Sequence, residues 1–382
     1  MTPPGAPPRL LSVDAFRGLT VAAMVLVNNP GTWSAVYRPL RHAEWHGFTP
    51  TDMVFPFFLF VVGVSIPLAL GPRIERGGGG LVVHALRRAA VIFALGLLLH
   101  GVPFFPLATL RIPGVLQRIA VCYLLAAWLV VATRGSRGWR AQAIAAGALL
   151  VVYWLLMTRV AAPGQIAGDL SPAGNLAGYV DRLVLGPRHI WQGSRVYDPE
   201  GILSTLPAAA TTLLGVLAGH WLRAGQPASQ PTSQPTNQIA GGLVAGGLIA
   251  AALGGLWSLW FPVNKALWTS SYALLMSGLA ALGLAACYWV IEVRGRRAWA
   301  APFAVFGKHA LTLFFLSSLM AKLLVIIRVG AEGPRLQAWL FDRLFAPWAL
   351  PPNASLAYAV GYVLLWWALI RALDRTGLRL RV

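Results

Sequence analysis

The chain has 382 residues, of which 57% are hydrophobic and only 11% charged, with sixteen tryptophans. Soluble domains carry about a quarter charged residues, so the two or three soluble domains that length alone suggests give way to an integral membrane protein. The net charge of +19 is no nucleic-acid signature, because the arginines fall in short clusters between apolar runs, the topology signal of a multi-pass chain.

The opening stretch MTPPGAPPRLLSVDAFRG lacks the charged start, apolar core and small-residue cleavage site of a signal peptide, so the first apolar run is expected to remain as a helix. Hydropathy and length predict an all-α bundle of about ten transmembrane helices, near residues 12–29, 52–71, 84–101, 114–133, 139–160, 203–223, 239–261, 267–291, 301–327 and 354–374, forming one transmembrane domain over 1–382. With the N-terminus inside, Arg73, Arg76, Arg87, Arg88, Arg134, Arg137, Arg140, Arg294, Arg296 and Arg297 fall on the cytoplasmic side. The outer loops are longer and their charge is sparser, so both termini are expected in the cytoplasm and the chain in an inner membrane. The segment QPASQPTSQPTNQ (226–238) reads as a flexible cytoplasmic linker and GGGG (77–80) as a loose loop. Residues 160–202, rich in aromatics and charges, read as a folded cap over the outer face. Cys122 and Cys287 lie in apolar runs and read as small hydrophobes, not a disulfide or metal pair.

Polar chemistry concentrates at a few places along this chain. In SVDAFRG, Asp14 and Arg17 are three apart and pair on one helix face. Asn28 and Asn29 end the first helix, where amides are costly unless they face a cavity or a partner. The stretch RHAEWHGFTPTD (41–52) follows. Thr49, Pro50 and Asp52 fit a helix start with a capping box; Asp52 could equally orient an imidazole as a triad carboxylate does, and the two roles are compatible. His42 and His46 are four apart, a metal spacing on a helix, but HAEWH is not HExxH and Pro39 and Gly47 oppose a long helix, so no metal is expected. One His and one Asn beside a polar cavity suit a general base and an oxyanion donor.

Farther on, Gln117 and Arg118 of RIPGVLQRIA enter apolar surroundings and are expected to face the bundle interior. YDPEG (197–201) reads as the turn that starts helix six. Asn264 and Lys265 open helix eight. Lys308 and His309 lie near the inner end of helix nine, where cations meet an anionic ligand from the cytoplasm or, for Lys308, snorkel to the interface.

The segments RLLSVDAFRGLTVAAMVLVNN, HAEWHGFTPTDMVFPFFLFVVGVSI, RIPGVLQRIA, YDPEGILSTLPA and NKALWTSSYAL, in this order, resemble the heparan-α-glucosaminide N-acetyltransferase family of membrane acyltransferases, in its bacterial NagX-like branch. The resemblance runs from about residue 9 to the C-terminus. It implies transfer of an acetyl group from cytosolic acetyl-CoA, with no metal, to the amine of an extracytoplasmic amino sugar such as a terminal glucosamine, in a homodimer. The family's active-site histidine lies in a His-Ala-x-Trp-x-Gly segment, here HAEWHG, so the match falls on His42, while His46 occupies a variable position. The asparagine ending the first helix matches Asn28, and the aspartate of the next helix matches Asp52. Lys265, Arg118, Gln117, Lys308 and Asn264 are then the candidates to hold the nucleotide. Three departures bear on the acceptor more than on the chemistry: the chain begins almost at the first helix, the segment from Asn28 to His42 is longer than in the animal enzyme, and position 309 is His where many relatives have Asn. An inner-membrane transporter of N-acetylglucosamine or another sugar, and a non-catalytic assembly component, remain open as alternatives from the residues alone.

Overall fold

The computed structural model describes residues 10–376, except 78, 136, 226–235 and 331. Most of the expected linker, and one residue of the GGGG loop, therefore lie outside the described residues. Thirteen α-helices are named here: α1 (Leu11–Asn28), α2 (Pro50–Glu75), α3 (Leu81–Gly101), α4 (Val115–Ala132), α5 (Gly138–Arg159), α6 (Leu176–Leu185), α7 (Thr205–Ala224), α8 (Thr236–Trp257), α9 (Ser270–Tyr288), α10 (Ala301–Lys308), α11 (Ala310–Ile326), α12 (Leu336–Leu344) and α13 (Pro351–Arg375). Among the described residues, nine helices are long and apolar enough to span a bilayer on their own, α9 being extended to Val293 by a π-helical turn. A tenth span is α10 and α11 taken together. The all-α bundle of about ten spans is thus as the hydropathy predicts.

Two differences are physical. The ninth expected span is broken, with α10 and α11 meeting at 71°. The break falls at Lys308 and His309, whose side chains both reach Asp374 on α13, at 3.6 Å and 3.1 Å. Secondly, residues 236–238, read as the end of a linker, already form the first turn of α8.

Successive spans alternate direction, so the connections sort onto two faces. One face carries 29–49, 102–114, 160–204, 258–269 and 327–350, and these loops bond to one another and to α13: Gly47 N–H donates to Val263 O (2.7 Å), Ile112 N–H to His189 O (2.9 Å), and Gly31 N–H to Ser355 O near the start of α13 (3.2 Å). The other face carries both described chain ends, and there Ser12 N–H donates to Glu292 (3.2 Å) and Arg223 pairs with Glu75 (2.5 Å).

Without a hydrophobic force between helices in lipid, spans are held by close packing and interhelical hydrogen bonds. The principal pairs are α8–α9, α2–α7, α1–α10 and α3–α4. In α1–α10 the backbones touch through glycine: a Cβ on Gly18 would lie 1.8 Å from Phe303 O, and one on Gly307 1.9 Å from Asp14 O. Arg17 locks the same junction, pairing with Asp14 (2.9 Å) and donating to Gly307 O (3.2 Å) and Ser65 Oγ (2.7 Å).

Gly18→Ala must therefore push α1 away from α10, and a loss of about 1–3 kcal/mol is expected, read as a lower thermal midpoint in detergent. Gly147→Ala, where a Cβ would meet nothing within 4 Å, is expected to leave the midpoint unchanged.

Candidate active site

The site grows from the first turn of α2. Thr49 precedes it in extended backbone and Pro50 occupies the first helical position, as the sequence predicts. The buried Asp52 carboxylate folds back: its Oδ2 accepts from Thr49 N–H (2.9 Å), Thr49 Oγ1 (3.1 Å) and Ala43 N–H (3.0 Å). The other oxygen, Oδ1, lies 2.6 Å from His42 Nδ1. Capping and imidazole orientation, left open by the sequence, are thus both present, one on each oxygen. Tyr272, in α9, donates its hydroxyl to the backbone carbonyl of Asp52 (2.5 Å). His42 itself is solvent-accessible, its side chain 47% exposed against 1% for that of Asp52.

With the carboxylate on Nδ1, that nitrogen carries the proton and Nε2 keeps its lone pair free in the ring plane. The third member is Lys265. Its Nζ lies 3.0 Å from Nδ1 and 3.3 Å from Nε2 of His42, and 3.6 Å from Asp52 Oδ1. A point so near both ring nitrogens lies over the ring, where a cation meets the π face and leaves the Nε2 lone pair open. Burial lowers the Lys265 ammonium pKa below its ordinary value, opposed by the carboxylates of Asp52 and Glu200.

Asn264, fully buried, shapes the loop that presents Lys265. Its Oδ1 accepts from Leu267 N–H (2.9 Å), its N–H donates to Thr269 Oγ1 (3.0 Å), and its Nδ2 lies 3.5 Å from His46 Nδ1. Gly47, at φ 92°, pairs with it as an isolated bridge, a left-handed conformation that favours glycine.

The nucleotide candidates are therefore split between the two faces. Lys265 and Asn264 stand beside His42. Arg118, also at this end of the bundle, is 2% exposed and already engaged: it donates to Pro199 O (2.9 Å), Gly201 O (3.0 Å) and Ser204 Oγ, and stacks over the Trp268 ring at 5.1 Å. Its partners are the YDPEG segment and the start of α7. Gln117 is packed against Gly96 and Gly114 with its Nε2 3.4 Å from His100 Nδ1. Of the five, Lys308 alone is near the opposite face, paired with Asp374.

Asn28 is exposed and lines a cavity of about 80 Å³ between α1, α11, α12 and α13, with Trp33, Gln337 and Tyr358. Asn29 turns its amide back onto Val25 O (2.6 Å), whereas the Asn28 amide has no protein partner among the described residues. No hydrogen bond among them joins Asn28 to His42.

Sequence reasoning passed over Arg111, Asp198 and Glu200. Arg111 holds both oxygens of the buried Asp198, at 2.9 and 2.6 Å, and reaches Glu200 at 2.5 Å. Burial works against the Arg111 charge, but Asp198 and Glu200 outweigh it and raise the guanidinium pKa further. This pairing anchors the cap beside Lys265. The available signal was two acids in YDPEG and an arginine at the helix-four entry, unlinked in one dimension.

Arg118→Leu is expected to strand the Pro199 and Gly201 carbonyls at about 1–3 kcal/mol each. The check is a lower thermal midpoint together with faster proteolysis within 160–204.

The sequence matches the family described as Heparan-alpha-glucosaminide N-acetyltransferase, catalytic, over residues 9–249. It is 32% identical over 360 residues to the human Heparan-alpha-glucosaminide N-acetyltransferase, covering 81% of this chain and 52% of that protein. Against the mouse protein of the same name it is 31% identical over 354 residues, covering 80% and 53%. The chain spans about half the length of these curated relatives. On the extent of the family match and on these identities, the chain belongs to the heparan-α-glucosaminide N-acetyltransferase family, within its catalytic region.

Proposed function

We propose that this chain is a transmembrane N-acetyltransferase, of the bacterial NagX-like branch, that moves an acetyl group from acetyl-CoA to the amine of an amino sugar on the His42 face. The observation that carries the reading is the accessible His42 imidazole, held on Nδ1 by the buried Asp52 carboxylate and covered by the Lys265 ammonium. The charge distribution supports an orientation with the arginine-rich face toward the cytoplasm and His42 outside an inner membrane.

Acetyl-CoA is polyanionic and does not cross a bilayer, while its pantetheine arm is long and slim. The opposite face, with its arginine clusters and Lys308, supports binding of the nucleotide there, with the thioester threaded toward His42. The sugar ammonium first releases one proton to water; the free amine then attacks the thioester carbonyl, and His42 Nε2 takes the second proton from the nitrogen as the C–N bond forms. The C–S bond then breaks and the imidazolium returns its proton to the departing thiolate. Lys265 stands where negative charge develops on the acyl oxygen. The match of Asn28 to the family's helix-ending asparagine, at a cavity of its own between α1, α11, α12 and α13, makes it a second candidate donor.

The test is purified protein in detergent with radiolabelled acetyl-CoA and glucosamine. Wild type is expected to yield N-acetylglucosamine and His42→Ala none. Asp52→Asn is expected to lower kcat by about 10³–10⁴, as loss of a triad carboxylate does. Lys265→Met is expected to lower it by about 10²–10³. Label retained on the protein without acceptor would show that His42 is itself acetylated on the way. Uptake of sugar into vesicles with no binding of acetyl-CoA would replace the proposal with a transporter.

A further inference from the structure

One carboxylate beside the site has an oxygen that the fold leaves unused. The side chain of Glu200 is 11% exposed, against 47% for His42 and 21% for Lys265, so all three reach solvent. Two contacts set Glu200 against the reacting groups. Tyr197, three residues before Glu200, meets Trp45, three residues after His42, edge-on at 5.0 Å between ring centroids. Arg118 donates to the carbonyls on either side of Glu200, those of Pro199 and Gly201, and stacks over Trp268. Trp268 N–H in turn donates to Lys265 O (3.1 Å). The turn that presents Glu200 and the loop that presents Lys265 are therefore tied through one guanidinium, and the Glu200 charge acts on the Lys265 ammonium.

The neighbouring acids are fully used. Each oxygen of Asp198 takes two donors: Oδ2 accepts from Arg111 Nε (2.9 Å) and Trp191 N–H (2.8 Å), and Oδ1 from Arg111 Nη2 (2.6 Å) and Glu200 N–H (2.9 Å). Asp52 divides its oxygens between the loop amides and His42. Glu200 differs. Its Oε2 meets only Arg111 Nη2, a donor already shared with Asp198, and its Oε1 has no protein partner among the described residues. A carboxylate offers about four acceptor positions, and here one guanidinium charge is set against two carboxylates. The cluster keeps a negative charge that no protein group answers, in a chain whose net charge of +19 otherwise repels cations.

We infer that Glu200 Oε1 docks the ammonium group of the acceptor, so that the site selects a cationic sugar over a neutral one before any transfer occurs. The inference deepens the acetyltransferase reading and rests on it for the identity of the amine as the reacting group. A charge-assisted hydrogen bond of this kind is among the strong ones. Once the ammonium has given a proton to water, the free amine no longer carries the charge that held it and can turn toward the thioester at His42. The acetamide product is neutral as well, so the carboxylate that captures the substrate has little hold on the product. Glu200 is thus a specificity determinant that takes no part in breaking the thioester.

The experiment compares glucosamine with glucose, which carries a hydroxyl in place of the ammonium, on full-length protein in detergent. In calorimetric titration without acetyl-CoA, wild type is expected to bind glucosamine tighter by about tenfold. Glu200→Gln, which keeps an oxygen for Arg111 and removes the charge, is expected to bind the two sugars alike. Glu200→Asp is expected to retain the preference, and so is Glu44→Gln, at an exposed acid two residues from His42. In turnover with acetyl-CoA, Glu200→Gln is expected to raise the glucosamine KM by about tenfold with a much smaller change in kcat. Equal binding of the two sugars by wild type, a preference kept in Glu200→Gln, or one lost in Glu44→Gln overturns the docking role. So does a lower thermal midpoint in Glu200→Gln with both sugars weakened equally, which marks a purely structural residue. If no amino sugar is acetylated but the preference for glucosamine is present and is lost in Glu200→Gln, the docking site stands and the transfer reaction falls. If glucosamine is acetylated but binds no tighter than glucose, the transfer stands and the docking site falls.

Discussion

The structure of the site depends on how one carboxylate divides its two oxygens. Asp52 Oδ2 gathers the Thr49 and Ala43 amides and so ends the loop and begins α2, while Oδ1 holds the His42 imidazole at 2.6 Å. A carboxylate accepts on both oxygens, and here both sets of partners lie within ten residues of Asp52, on one loop brought back on itself. Tyr272 fixes the backbone of Asp52 from α9, so the helix start is clamped from the loop and from the bundle core together. The cost of burying the charge is met by these donors and by Lys265, in keeping with the rule that buried charges are paired and hydrogen-bonded.

Around that clamp the architecture serves two environments. On the His42 face long loops interlock through hydrogen bonds and through the Arg111–Asp198–Glu200 cluster, making a structured cap from segments whose regular structure, among the described residues, is α6, α12 and short 3-10 turns. Toward the opposite face the spans touch directly, as Gly18 and Gly307 do. The glycine contact between α1 and α10 leaves little room for the two to slide.

Much of this was legible in the sequence because bilayer thickness imposes a strong period on composition. The ten spans, the helix start at Thr49–Asp52, the Asp14–Arg17 pair and the burial of Gln117 and Arg118 follow from local pattern alone. What pattern does not carry is contact across the chain. Lys265 lies 223 residues from His42, and nothing in NKALW says that its ammonium covers that ring. Likewise Arg118 reads as an interior cation, but its carbonyl partners in 199–201 arise only when the cap folds. The break at Lys308 and His309 was hidden by hydropathy, which averages over the two polar residues and sees one continuous span. The resemblance of HAEWHG and its companions to a known family pointed to His42, and the geometry adds why an exposed ring there is held still.

The unequal lengths of the spans have a consequence of their own. α2 has 26 residues and rises about 39 Å, whereas α1 and α4, with 18 residues each, rise about 27 Å. A helix longer than the hydrocarbon layer is accommodated by tilting, by kinking or by local thickening of the bilayer, so the length of α2 makes the lipid layer one of the constraints on the helix whose first turn carries Asp52.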